Sequence, residues 1–185
     1  MSASGNPQNQ KTQEKNTMAT LPPPKTNSGF GITESAPKGT FICTCLLVRD
    51  EFGVMRKKYQ SEELVKTDVT RFLFGFVHKS GKQFLVESRE MKISSDPKSA
   101  LFAFLKSWLG EPPKVGWDYC SLIGSGALVT VEHTPSQKNP GQFWSNIASI
   151  APVMEDLKSK VQPVTAFVLP NAAGAETDAD ADQPY

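Results

Sequence analysis

Two apolar runs flank a short turn near the middle of the chain, and together they predict a β-hairpin over residues 67–94. The turn at 79–82 has the sequence Lys-Ser-Gly-Lys, and a Ser-Gly centre between two β-rich runs is typical of a hairpin. In the first run Phe72, Phe74 and Phe76 occupy alternate positions, so their rings should share one face of a strand. We expect that face to point into a hydrophobic core.

Three further segments have the composition of strands. Residues 38–50 begin with a polar Lys-Gly-Thr and continue with apolar and β-branched side chains, which favours a strand that is buried on at least one face. Residues 126–133 and 141–150 predict a second hairpin. The polar segment 51–66 is expected to be a long connection, with a helical turn around 61–65.

One helix is predicted between the two hairpins, over residues 96–110. Its apolar side chains recur at helical spacing, Asp96 stands at an N-cap-like position, Pro97 follows at the first helical position, and Gly110 ends the segment. The order of elements is therefore three strands, a helix and two strands.

This order predicts a mainly β fold. Five strands with one helix between the third and the fourth are typical of the OB-fold, a five-stranded barrel that binds oligonucleotides or oligosaccharides. An α+β sheet of six elements with a covering helix is the alternative. The sequence then divides into a disordered N-terminal arm at 1–37, an OB-like nucleic-acid-binding domain at 38–155, an extended linker at 156–175 in which 164–169 could add a strand, and an acidic C-terminal tail at 176–185.

Composition indicates a cytoplasmic protein that does not enter a membrane. No apolar run approaches the roughly 20 residues of a membrane-spanning helix, and the amino-terminal residues lack the apolar core of a signal peptide. The three cysteines lack zinc-site spacing. Cys43 and Cys45 should share one strand face, where we interpret them as small buried hydrophobic residues.

Catalytic motifs are missing from the sequence. The two histidines, His78 and His133, lie on different predicted strands, and no metal-site spacing, phosphate loop or nucleophile motif is present. Glu87 and Glu90 are expected to point to opposite faces of one strand, so they should not pair as acid and base. We therefore expect a protein without enzymatic activity, metal ion or cofactor.

Basic residues interleaved with aromatic residues favour binding of single-stranded nucleic acid. Cations follow the phosphates in such proteins while aromatic rings stack on the bases. The triple base at 56–58, beside an aromatic residue, is the strongest local candidate. The predicted DNA-binding residues are Arg56, Lys57, Lys58, Tyr59, Arg71, Lys79, Lys82, Phe84, Lys92 and Trp144.

Charge is distributed unevenly along the chain. All 20 Lys and Arg and 15 of the 19 Asp and Glu lie within residues 1–175, which therefore carry a net charge of +5, while residues 176–185 carry −4. An acidic segment of this kind, "ETDADADQPY", should remain solvated. It is either a solubilising tail or a docking peptide, and the aromatic residue beside Pro184 favours docking.

This plan resembles the single-stranded DNA-binding proteins of bacteria and their phages, in which an OB-fold body precedes a flexible acidic tail that docks replication and repair proteins. The bacterial tail ends in consecutive aspartates and Pro-Phe, whereas here the acids alternate with Ala and tyrosine replaces phenylalanine, which is more like a phage protein. The resemblance implies partner docking by Asp178, Asp180, Asp182, Pro184 and Tyr185.

The body of the chain carries a second, looser resemblance. It is similar to small phage-encoded proteins that open on a Gly-Thr strand, here Gly39-Thr40, and close on the strand Asn-Ile-x-Ser-Ile-x-Pro, here 146–152. Two other functions stay open: a protein–protein adaptor or recombination mediator that uses the same barrel, and a barrel that binds RNA or an oligosaccharide. A homo-oligomer is also left open.

Overall fold

The computed structural model describes residues 32, 34–57, 61–135, 141 and 143–169. The predicted mainly β character is confirmed, since six strands and a single α-helix lie in this part of the chain. The strands are β1 (Gly39–Lys57), β2 (Leu64–Val77), β3 (Gln83–Glu87), β4 (Met91–Lys92), β5 (Gly126–Pro135) and β6 (Phe143–Ala151), and the helix is α1 (Ala100–Leu109). Three short 3-10 helices cover Tyr119–Leu122, Glu155–Lys160 and Val164–Ala166.

All strands belong to one antiparallel sheet with the order β3-β2-β1-β5-β6, and β4 pairs with β2. β1 is long enough to serve two neighbours: its residues from Gly39 to Thr44 pair with β5, and those from Thr44 to Lys57 pair with β2. The end strands β3 and β6 approach each other. No ladder joins them in the described residues, so the predicted closed barrel is not shown.

The hydrophobic core lies between the sheet and α1. Phe72, Phe74 and Phe76 are fully buried on the inner face of β2, as predicted from their alternation. From the helix, Trp108 packs edge-on against Phe72 and Phe74, and its indole N–H donates to the carbonyl of Gly126 at 2.9 Å. The helix therefore covers the sheet and is fastened to the start of β5.

The predicted helix is confirmed, but its amino-terminal cap is not the expected one. Ser99 is the N-cap, and its hydroxyl accepts from the backbone N–H of Phe102 at 3.1 Å. Asp96 instead accepts from the N–H of Lys98 at 2.8 Å, in a turn that precedes the helix. Gly110 ends the helix with φ 78°, a left-handed conformation that glycine adopts without steric cost.

Both predicted hairpins are confirmed, while two other local predictions are wrong. The predicted connection at 51–66 is mostly strand, because β1 continues to Lys57 and β2 begins at Leu64, so no helical turn occupies 61–65 in its described residues. The additional strand considered at 164–169 is a 3-10 turn instead. This segment crosses the sheet and does not run along an edge, so it has no ladder to join.

The gap between β3 and β6 is lined by residues that the sequence assigned to the arm. Ala36 is fully buried in the core, and its carbonyl accepts from the hydroxyl of Ser145 at 2.9 Å. The preceding residues join the β2–β3 turn to β6: Glu34 pairs with Lys82 at 2.6 Å, and the hydroxyl of Ser35 donates to the Phe143 carbonyl at 3.1 Å. The packed body therefore begins before residue 38.

A further segment lies across the outer face of the sheet. Phe167 is buried there with Leu46 and Leu73, in a small cluster separate from the main core. None of the helices in the described part of the chain is long and apolar enough to cross a membrane.

Candidate nucleic-acid interface

The predicted DNA-binding residues separate into two groups along β2. Arg71 and Val77 are six residues apart on this strand, about 20 Å at the rise of an extended chain. The first group, which extends from the β1–β2 hairpin to the middle of β2, contains Arg56, Lys57, Arg71 and Lys92. The second, around the β2–β3 turn and the start of β6, contains Lys79, Lys82, Phe84 and Trp144. Lys58, Tyr59 and the predicted docking residues Asp178, Asp180, Asp182, Pro184 and Tyr185 lie outside the described residues.

Two arginines of the hairpin group share one carboxylate. Arg56 donates to both oxygens of Glu90, at 2.7 Å from Nε and 2.5 Å from Nη2. Arg71 donates to the same carboxylate at 2.5 Å and to Glu87 at 3.2 Å. Glu87 and Glu90 do not point to opposite faces as predicted, because β3 ends at Glu87 and the irregular segment after it brings Glu90 back to Arg71.

The pKa values of this network favour the charged forms. Hydrogen bonding from Arg56 lowers the pKa of Glu90, Arg71 adds to this, and partial burial opposes it. For Arg71, burial acts to lower the pKa, but the hydrogen bonds to Glu90 and Glu87 outweigh it and the net direction is upward. The positive charge of these arginines is therefore matched by carboxylates before any ligand is present.

Exposed apolar side chains accompany these paired charges. Phe52 is 74% exposed beside a bulge in β1, where Gly53 has φ 67°, and Met55 and Leu64 are also exposed. Lys57 pairs with Glu62 at 2.5 Å. The hairpin thus combines apolar patches with locally compensated charge.

The second group combines exposed aromatic side chains with exposed lysines. Phe143 is 53% exposed and Trp144 is 58% exposed at the start of β6. Lys79 and Lys82 lie on the β2–β3 turn, and Glu34 and Ser35 connect Lys82 to Phe143 through adjacent residues. We refer to Lys79, Lys82, Phe143 and Trp144 as the β3–β6 edge.

Phe84 has a different environment from the exposed rings. It is half-buried against the main core, its ring stacks on Phe76 with 5.7 Å between centroids, and the ammonium of Lys82 lies 5.6 Å from its centroid. A ring with one face on the core offers little surface to a base. Phe84 instead lies beneath the side chain of Lys82, which can extend from the turn across this ring.

The predicted DNA-binding residues left out three exposed rings, Phe52, Trp117 and Phe143. The sequence did offer a signal for Phe143. Adjacent residues of a strand face opposite sides, so Phe143 and Trp144 could not both point to the same face. Phe52 lay in a segment interpreted as a connection. Its position before a glycine was the only available signal.

Other chemistry finds little support among the described residues. No group of three or more His, Cys, Asp or Glu there could hold a metal ion. Cys43 and Cys45 are buried on one face as predicted, and burial raises the pKa of both thiols, that of Cys45 to about 12. His133 has a structural role, since its Nε2 is 2.8 Å from the Ala36 carbonyl.

Comparisons with family models, with curated proteins and with solved structures find no match to this chain.

Proposed function

We propose that this chain binds single-stranded DNA in replication or recombination, in the manner of a phage-encoded single-stranded DNA-binding protein, and contacts partner proteins through residues 176–185. The observation that carries the DNA-binding proposal is the β3–β6 edge. Phe143 and Trp144 expose their rings at the start of β6, and the exposed Lys82 is linked through Glu34 and Ser35 to the Phe143 backbone. This is the combination that holds single strands, with rings stacking on bases and cations contacting phosphates.

The path of the sheet supports an OB-like arrangement. The long first strand, β1, pairs with β5 through its first part and with β2 through its second part. Along the sequence, α1 lies between the β2–β3 hairpin and the β5–β6 hairpin. OB-folds are small barrels of this plan, and they bind oligonucleotides at their strands and loops. β3 and β6 approach each other without a ladder, and residues 34–36 are bonded to the β2–β3 turn and to β6, which favours a sheet that curves towards a barrel.

The charges of the two groups favour the β3–β6 edge over the β1–β2 hairpin. In the hairpin group, Arg56 and Arg71 are held by Glu90 and partly buried. In the edge, Lys82 has one exposed pairing with Glu34, and Lys79 is exposed on the turn. An exposed ion pair contributes little, so a phosphate can replace Glu34 at small cost.

A second candidate function is supported by the β1–β2 hairpin. Exposed Phe52, Met55 and Leu64 next to compensated charges resemble a protein-contacting surface, in which apolar anchors are flanked by polar side chains. An adaptor or recombination mediator would use this end of the molecule for a polypeptide. The two functions predict different variant effects: substitutions at the β3–β6 edge should impair DNA binding, and substitutions at the β1–β2 hairpin should impair a protein contact.

The test measures oligo-dT binding by anisotropy of a labelled strand. Replacing Lys79 and Lys82 together with alanine should weaken binding about five- to tenfold and reduce the salt slope by about 1.4, which is 0.7 for each lost phosphate contact. The matched control replaces Lys98 and Lys106, two exposed lysines before and on α1, and should leave affinity nearly unchanged.

Duplex DNA of the same length is the second arm of the experiment. The proposal requires markedly weaker binding to duplex than to oligo-dT. Equal affinity for duplex DNA and oligo-dT would contradict the proposal. So would an equal loss of affinity in the Lys79/Lys82 variant and in the Lys98/Lys106 control. If oligo-dT does not bind at all while Phe52→Ala abolishes capture of a replication protein, the adaptor function is the correct one.

A further inference from the structure

Residues 161–168, which we call the strap, cross the outer face of the sheet from β5 to β3. The contacts follow strand order: Val161 lies on Gly126 of β5, the Gln162 carbonyl accepts from Thr44 of β1 at 2.6 Å, and Phe167 lies on Gly75 of β2. At β3, the side-chain amide of Gln83 donates to the Ala166 carbonyl and accepts from the Val168 N–H at 3.4 Å.

The strap rests on the sheet without becoming part of it. It contributes no strand, and its own short 3-10 turn, Val164–Ala166, has no side-chain cap. Only Phe167 among its side chains is buried. Its described contacts to the sheet are one buried ring, a few partly buried apolar side chains and hydrogen bonds to Thr44 and Gln83. These contacts can separate without breaking the hydrogen bonds between strands.

Glycines mark the two places where the strap approaches closest. A Cβ on Gly126 would lie 2.5 Å from Val161, and a Cβ on Gly75 would lie 2.7 Å from the Phe167 ring. Both are contacts that only glycine permits. Beneath the strap the face is thus a shallow channel with an apolar floor that includes Leu46 and Leu73, on which a flat group can lie.

The chemistry of this channel matches a nucleobase as well as it matches the strap. Phe167 provides a planar ring over Gly75, and a base is also planar and apolar on its faces. The Gln83 amide offers one donor and one acceptor, which now meet a peptide carbonyl and N–H. Base edges present the same neighbouring acceptor and donor when single strands are bound.

We propose that the strap covers a second binding face for single-stranded DNA, which the strand uncovers by displacing residues 161–168. A base then takes the place of Phe167 on Gly75, and Gln83 exchanges the strap backbone for a base edge. This inference rests on the proposed DNA binding and extends it from the β3–β6 edge to the outer face. The strap is then an autoinhibitory element, because the apparent affinity is the affinity of the open form multiplied by the fraction of molecules that are open.

The first test removes the strap from its channel in the full chain. Phe167→Ala deletes the buried ring, and Gly126→Ala forces a methyl group into Val161 while keeping the strand backbone. If about one molecule in ten is open in the wild type, either variant should bind oligo-dT about tenfold more tightly. Thr165→Ala, an exposed position on the same segment, is the matched control and should bind like the wild type.

The second test uses the wild-type protein, so it does not depend on a variant that folds. Hydrogen exchange of the Val168 amide, which is bonded to Gln83, should become faster when oligo-dT is added. Slower or unchanged exchange means that the strap stays in place in the complex, and this would overturn the proposal. Thermal melts establish that Phe167→Ala and Gly126→Ala are folded before their affinities are compared.

The outcomes separate this proposal from the one on which it rests. If the wild type binds oligo-dT and both strap variants bind equally well, the strap is a fixed cover and only this inference fails. If the wild type does not bind but both strap variants do, the β3–β6 edge is not the site and the covered face is. If none of them binds, both proposals fail.

Discussion

At the scale of single residues, Glu90 and Glu34 have comparable roles, because each pairs with basic side chains of one of the two groups. Glu90 holds Arg56 and Arg71 in a partly buried network, and Glu34 holds Lys82 in an exposed pair. The two carboxylates differ in what their loss should change. Removal of Glu90 should affect the stability of the fold, because burial strengthens its hydrogen bonds, whereas removal of Glu34 should affect mainly the availability of Lys82.

Glu90→Gln should lower the free energy of unfolding by about 1–2 kcal/mol at neutral pH, since hydrogen bonds to charged partners are lost or weakened. The pKa of Glu90 is lowered in the folded state, so its contribution is present above the ordinary value of 4.5 and disappears as pH falls through the lowered pKa. Thermal melts should therefore show a difference from the wild type at pH 7 that shrinks below pH 4. Glu111→Gln, an exposed position, is the control.

A difference between the Glu90→Gln and wild-type proteins that stays constant down to pH 3 would contradict this account of the network.

Glu34→Gln should strengthen oligo-dT binding about two- to threefold at low salt, because the ammonium of Lys82 loses its carboxylate partner and a phosphate no longer competes with it. Lys82→Ala should change the affinity in the opposite direction. The measurement is an anisotropy titration of the two variants side by side. Changes of the same sign in both would show that Glu34 and Lys82 act through local structure and not through charge.

At the scale of elements, the sequence predicted those features that depend on local periodicity. The alternating Phe72, Phe74 and Phe76 gave the buried face of β2, and the Ser-Gly turn gave the β2–β3 hairpin. The residues at which the elements begin and end were harder to predict from the sequence. Asp96 and Ser99 are both good cap residues, and only the tertiary position of the helix decides which one caps it.

The candidate site was predictable in residue type but not in grouping. The sequence displays the cations and the rings, but it could not show that Arg56 and Arg71 are both paired with the carboxylate of Glu90. That pairing depends on where the chain turns after β3. The strap could not be predicted from the sequence either, because its contacts join residues 161–168 to strands more than thirty residues away. The composition of this segment suggested a linker or a strand.

Ser99→Ala should destabilise the fold by about 1 kcal/mol, because the Phe102 N–H loses the side-chain acceptor that caps α1. Ser107→Ala on the exposed side of the same helix is the matched control and should be neutral or slightly stabilising. Urea unfolding of both variants measures the difference. Equal midpoints in the two variants would mean that the observed cap contributes nothing.

At the scale of the whole molecule, the strap ends beside the β3–β6 edge. Val168 is bonded to Gln83, the neighbour of Lys82, and Glu176 follows Leu169 by seven residues. Seven extended residues span at most about 25 Å. Seven residues are thus enough chain to join Leu169 to the edge lysines, and the charge of −4 on residues 176–185 is opposite in sign to the +5 of residues 1–175.

Deletion of residues 176–185 should raise the affinity for oligo-dT a fewfold at low salt, with the gain vanishing at high salt, since exposed charges are screened over about 10 Å at 0.1 M. The control replaces Glu176, Asp178, Asp180 and Asp182 with the corresponding amides at full length. It should reproduce the gain if charge is responsible. A gain that persists at high salt, or that the amide variant lacks, would contradict the electrostatic origin.

The most direct measurement of DNA binding at the β3–β6 edge follows the emission of Trp144 during titration with oligo-dT at two salt concentrations. Trp117→Phe leaves two tryptophans, of which Trp108 is only 2% exposed, so a response reports on Trp144. We predict a saturable change in emission at low salt and weaker binding at high salt, with a slope of about −0.7 per phosphate contact. Saturable binding seen by anisotropy with no change in Trp144 emission, or no binding at low salt, would contradict the proposal.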